Sequence, residues 1–159
     1  MKIPKLFKLT HWGIAIVVVL NAFILESGDP PHRYLGYTAL GLVLARAVFS
    51  FKYKTDFVFS LSELKRFIKS LLRMSPLDYE PKRNPLASYV YIFIWLCDVG
   101  LAFTGWLMGL DAFWGDETLE EVHEIISNIL LALVAMHLMG MLTDFIFHKR
   151  KPWKKMLKG

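Results

Sequence analysis

Four of the five histidines in this 159-residue chain stand at spacings that let imidazoles meet across helices. His123 and His137 lie fourteen residues apart in one apolar segment, His11 sits inside the first apolar segment, and His32 opens the second. Fourteen residues make about four helical turns and about 21 Å of rise, so His123 and His137 share one helix face at two membrane depths. A stacked pair of metal ligands on one helix calls for a partner at each depth. His32 begins its segment at the surface where His123 begins its own. His11 lies fifteen residues before Glu26 at the outer end of the first segment, about 22 Å by the same rise. The counts pair His32 with His123 around an outer metal centre, and His11 with His137 around an inner one.

The elements that position these residues are apolar helices. The chain is 55% hydrophobic and 14% aromatic, with a mean hydropathy of +0.39, well above an ordinary soluble domain. Four stretches approach the roughly 20 residues that cross a bilayer: about Leu6–Leu25, His32–Phe51, Leu86–Leu110 and His123–Phe147. The expected fold is all-α, a single membrane domain over residues 1–159, built as an integral four-helix bundle. Lys2, Lys5 and Lys8 ahead of the first run resemble a signal peptide, but Glu-Ser-Gly-Asp-Pro-Pro follows Leu25 where a small-residue cleavage site would stand, so the segment reads as an uncleaved helix.

Between the second and third spans, Leu61, Leu64, Phe67, Ile68, Leu71 and Leu72 recur at helical spacing among Lys65, Arg66, Lys69 and Arg73. This pattern over Phe57–Arg73 predicts an amphipathic helix lying on the cytoplasmic membrane surface, ended by Pro76, Pro81 and Pro85. Of nineteen basic residues, three precede the first span, eight lie from Lys52 to Arg83 and six follow Phe147. The positive-inside rule then puts both termini in the cytoplasm, and a bacterial inner membrane is the expected home. The opposite loop, Asp111 to Glu124, holds six carboxylates and no Lys or Arg. The pI of 9.3 thus reflects a basic rim against anionic lipid, and nucleic acid need not be invoked.

Ionisable side chains inside a membrane are costly and mark function, and imidazole is an axial ligand of haem iron. The residues therefore predict two haems, each bis-histidine ligated. With one cysteine, Cys97, no C-x-x-C-H attachment exists, so the haems are non-covalent. Small residues one turn from the ligands, namely Ala15, Gly36, Ser127 and Gly140, leave room for a porphyrin. Arg46, fourteen residues after His32, shares that helix's haem-facing side at the inner depth; a haem propionate or Asp144 would neutralise it. The competing readings are plainer. Any single histidine could only hydrogen-bond across helices, His148 reads as a surface residue among basic neighbours, and Asp98 reads as structural or as a proton acceptor from a quinol. Met136, Met139 and Met141, like Gly105-x-x-x-Gly109, read as packing.

His11-Trp12, His32-x-x-x-Gly36 with Arg46, Asn84-Pro85-Leu86, Thr104-Gly105, and His123-Glu124 with His137 together make the chain resemble the bacterial di-haem cytochrome b561 family, related to the cytochrome b subunits of nickel–iron hydrogenases. The resemblance spans nearly the whole chain. It implies two haem b groups moving electrons between membrane quinone and a redox partner. No counterpart is found for the additional membrane helix usual in hydrogenase cytochromes b, which argues against a hydrogenase partner. The acidic outer loop would suit a basic periplasmic c-type cytochrome, and a homo-oligomer is compatible with the sequence. The alternatives are a superoxide oxidase, for which Arg33 beside His32 offers a positive spot, and a haem-free structural membrane subunit.

Overall fold

The computed structural model describes residues 5–52, 62, 65, 66, 68, 69, 85–149 and 151–157. Four long helices dominate: α1 (Lys5–Phe23), α2 (Pro30–Lys52), α3 (Pro85–Leu107) and α4 (Glu117–His148), followed by a short α5 (Pro152–Leu157). A single 3₁₀ turn, Asp111–Phe113, joins α3 to α4. All regular structure among the described residues is helical. Three of the helices are long and apolar enough to cross a membrane: α1, α3 from Ala87, and α4 as far as Thr143. This is a membrane protein.

α2 has the length, at 23 residues, yet falls outside that set of three. His32, Arg33, Arg46 and Lys52 lie within it and dilute its apolar character. The surface helix expected over Phe57–Arg73 lies for the most part outside the described residues. The five that are described there, Ser62, Lys65, Arg66, Ile68 and Lys69, are helical and exposed.

Local chemistry sets the helix ends. Pro30 and Pro31 open α2, where proline's fixed φ suits the first helical turn and its missing N–H is no loss. Gly28, just before them, has φ +89°, a left-handed conformation that glycine adopts without strain. α4 starts at Glu117, six residues ahead of the expected start near His123. Asp116 Oδ1 accepts a hydrogen bond from the Leu119 N–H at 3.0 Å, capping the helix. Glu117 and Glu120 in the first turn complement the positive end of the helix dipole. The acidic outer loop is thus, over its second half, the first two turns of α4.

Burial is inverted relative to a soluble protein. Leu9, Ile16, Val19 and Phe23 of α1, Phe93, Leu96 and Phe103 of α3, and Leu138 and Leu142 of α4 are exposed. The buried set includes Thr10, Arg46, Asp98 and Thr104 beside Val17, Val43, Ala102 and Leu130. An apolar exterior around polar interior groups is what lipid as solvent demands, because polar side chains find partners only inside. Packing is closest between helices adjacent in sequence: α1 on α2, α2 on α3, α3 on α4, and α4 on α5. α4 faces α1 and α2 across the histidines.

Candidate functional site

The structure brings the four histidines into two pairs. The His32 and His123 ring centroids lie 6.3 Å apart with planes inclined by 56°. Those of His11 and His137 are also 6.3 Å apart, inclined by 69°. Since His123 and His137 both belong to α4, the pairs are separated by about 21 Å along that helix. That distance covers two-thirds of a hydrocarbon core of about 30 Å, so one pair lies towards each membrane face.

The spacing suits a shared metal ion. With metal–nitrogen bonds of about 2 Å and each ring nitrogen about 1 Å from its centroid, two imidazoles on one ion sit with centroids roughly 6 Å apart. An ordinary edge-to-face ring contact covers a similar range, so the surroundings decide between them. Thr104 Oγ1 lies 2.7 Å from His123 Nδ1. The same oxygen is 2.9 Å from the Gly100 carbonyl and 3.2 Å from that of Leu101. A hydroxyl has one proton; with it on a carbonyl, Thr104 can accept from a His123 Nδ1–H, the tautomer that leaves the Nε2 lone pair free for a ligand. On the facing ring, His32 Nδ1 is buried without a hydrogen-bond partner among the described residues. A Cβ added at Gly105 would stand 3.6 Å from His123 Cε1, so the glycine gives the imidazole its clearance.

Beside the His32–His123 pair lies a cavity of about 350 Å³, lined by His32, His123, Gly105, Ser127, Asp98 and Arg33 among others, and reaching the Ser27–Gly28 and Trp114–Gly115 loops. Its volume falls within the range of cofactor and ligand sites. Asp98, ambiguous from sequence, is only 5% exposed; its Oδ2 is buried without a hydrogen-bond partner among the described residues. Around the His11–His137 pair, the Tyr91 ring packs at 5.2 Å on His137 and Trp12 lies edge-on to His11 at 5.7 Å. Arg46 is buried; its Nη1 donates to the Phe7 carbonyl, and its guanidinium stacks 3.2 Å above the Phe7 ring. The Asp144 and His148 side chains lie outside those described. Gly140, expected to make room beside His137, faces open space, and Cys97 is a free, half-buried thiol.

An imidazole pair at each of two depths, with a cavity beside His32 and His123, is a donor set suited to haem iron. Residues 2–159, nearly the full chain, match the family described as prokaryotic cytochrome b561. The chain belongs to the prokaryotic cytochrome b561 family. It is therefore a membrane b-type cytochrome that binds haem b and serves electron transfer. Neither a curated protein nor a solved structure matches it.

Thr104, Asn21 and Tyr91 are site neighbours that sequence reasoning gave no role. Thr104 stood only in a family motif. A hydroxyl one turn from the end of an apolar helix carries no periodic signal, and its partner becomes visible only once the rotation of α3 against α4 is known.

Proposed function

We propose that this cytochrome b561 holds two non-covalent haem b groups and moves electrons across the bacterial inner membrane between the quinone pool and a periplasmic redox protein. The observation that carries the reading is the equal 6.3 Å spacing of the two histidine pairs. His32 and His123 would hold the outer group, His11 and His137 the inner one. Haem b between two imidazoles supplies a coordinatively saturated one-electron iron couple, which passes electrons and has no open position for oxygen. In this reading α2 is the fourth span, with Arg46 and Ser50 buried in the bundle, and both termini are cytoplasmic. The contact between Trp12 Nε1 and the Met156 carbonyl at 3.5 Å supports placing the two chain ends on one side.

Arg46 is the residue best placed to serve the inner group. One Nη1 bond is spent on Phe7, and four further N–H donors remain for a propionate. Facing the periplasm, Asp111, Asp116, Glu117, Glu120, Glu121 and Glu124 are all exposed. They form a negative surface that would speed encounter with a basic c-type cytochrome. Quinone is the natural lipid-phase substrate for such a protein.

Purified protein should contain two haems per chain and show a sharp alpha band on reduction. His123→Ala or His32→Ala should remove the outer haem and spare the inner one, with the converse for His11→Ala and His137→Ala. One haem in the wild type, or loss of both from a single substitution, would defeat the assignment.

A second reading rests on Arg33, which lines the outer cavity next to His32. Two superoxide anions, each giving up one electron to become O₂, would reduce one quinone to quinol with two protons. The carboxylates around the mouth, including Glu120 in the lining, oppose the approach of an anion. Quinone reduction by superoxide in the purified protein would favour this reading; none would remove it.

A further inference from the structure

The two outer imidazoles are supported differently, and the difference has a consequence for how tightly each is oriented. Metal-bound histidines almost always give the other ring N–H to an acceptor, which fixes the tautomer and raises ligand basicity. His123 has that acceptor in Thr104 Oγ1 at 2.7 Å, on a side chain only 6% exposed. For His32 the complementary atoms are present but not joined. Asn21 Nδ2 donates to the His32 carbonyl at 3.3 Å, which plants the amide on the first turn of α2. Among the described residues, the Oδ1 of that amide is buried without a partner, and so is His32 Nδ1. Buried donors and acceptors are seldom left unmet. Asn21 Oδ1 is an acceptor and His32 Nδ1, in its Nδ1–H tautomer, a donor, on two residues already hydrogen-bonded to each other.

We infer that Thr104 and Asn21 are the positioning residues of the outer pair, Thr104 accepting from His123 Nδ1–H and Asn21 Oδ1 from His32 Nδ1–H. Both bonds leave Nε2 of each ring as the ligating nitrogen. They also push electron density onto the imidazoles, which favours the oxidised state of whatever iron the rings bind. This inference rests on the outer bis-histidine reading above. The inner pair has different neighbours, Tyr91 and Trp12, and serves as an internal control.

The test is a redox titration of the haem-loaded, full-length protein in detergent, with haem stoichiometry and low-temperature EPR of the oxidised state. Thr104→Val removes the acceptor while keeping the side chain's shape. It should raise the reduced-to-oxidised ratio of the outer haem about tenfold at fixed ambient potential, an upward shift of about 59 mV for a one-electron couple, and alter that haem's EPR signal. The inner haem should not move. Thr104→Ser, which restores the oxygen, should return the outer potential to its wild-type value, and Asn21→Leu should shift it in the same direction as Thr104→Val. Loss of the outer haem from Thr104→Val with retention in Thr104→Ser would also support the inference. Thr104→Val with two haems and unchanged outer potential and EPR would overturn it, as would Thr104→Ser behaving like Thr104→Val. A wild type with a single haem would instead overturn the bis-histidine reading and this inference with it.

Discussion

Substitution at Gly105 probes the outer site without touching a ligand. A methyl at this position would stand 3.6 Å from His123 Cε1, ordinary van der Waals contact, and alanine also gains about 1 kcal/mol of helix propensity over glycine. Gly105→Ala should therefore keep both haems. Valine adds two γ carbons, each about 1.5 Å beyond Cβ, so one directed at the ring would come within roughly 2 Å of it. Valine fills two of the three staggered positions, so the side chain has little freedom to turn both away. The ring cannot swing freely either, because the Thr104 hydroxyl holds the adjoining Nδ1. Overpacking of this kind costs about 1–3 kcal/mol, which weakens outer haem binding roughly 5- to 140-fold. Haem loss to an excess of a scavenging apoprotein, followed by absorbance, reads this directly. The outer haem should leave faster from Gly105→Val than from Gly105→Ala, with the inner haem unchanged. Equal retention in both variants would show that His123 is not held where the structure places it.

Three further outcomes follow from the geometry. Arg46→Leu removes the bond to the Phe7 carbonyl and the stacking on its ring; with charged hydrogen bonds worth about 1.5–3 kcal/mol, thermal melting in detergent should show that loss. The inner haem midpoint should fall as a neighbouring positive charge disappears, and Arg46→Lys should retain the midpoint while losing stability. Asp116→Ala deletes the α4 cap at Leu119 and should cost about 1 kcal/mol in the same melt; an unchanged melting temperature would mean the cap contributes nothing. Replacing Glu117, Glu120 and Glu121 together by Gln should slow electron exchange with a basic c-type cytochrome at low ionic strength. At about 1 M salt, where the Debye length is about 3 Å, the difference should vanish, and an equal slowing at both salt concentrations would exclude charge steering.

The membrane character, the all-helical fold and the pairing of the rings were legible because each depends on distance along one axis. A helix converts residue number to depth at a fixed rise, so His123 and His137 announce two levels, and the apolar runs announce α1, α3 and α4. The beginning of α4 was less legible. Glu117 to Val122 read as an acidic loop, and the capping carboxylate of Asp116 with the dipole preference of the early glutamates makes them helix instead. α2 was legible as a helix of spanning length, while its charged and polar side chains hold its apolarity below that of the others. Least legible were contacts set by how each helix is turned about its own axis. Thr104 against His123, Asn21 against His32, and Arg46 on Phe7 all join different helices, and no spacing within a single segment encodes them.

The order of packing bears on how the molecule is made. Each long helix rests on the one synthesised just before it, so a growing chain finds its neighbours without waiting for distant segments. The exception is the looser encounter of α4 with α1 and α2, where the imidazole pairs meet. Prosthetic-group insertion would then be the closing event of biogenesis, clamping the last helix against the first two after the scaffold already stands.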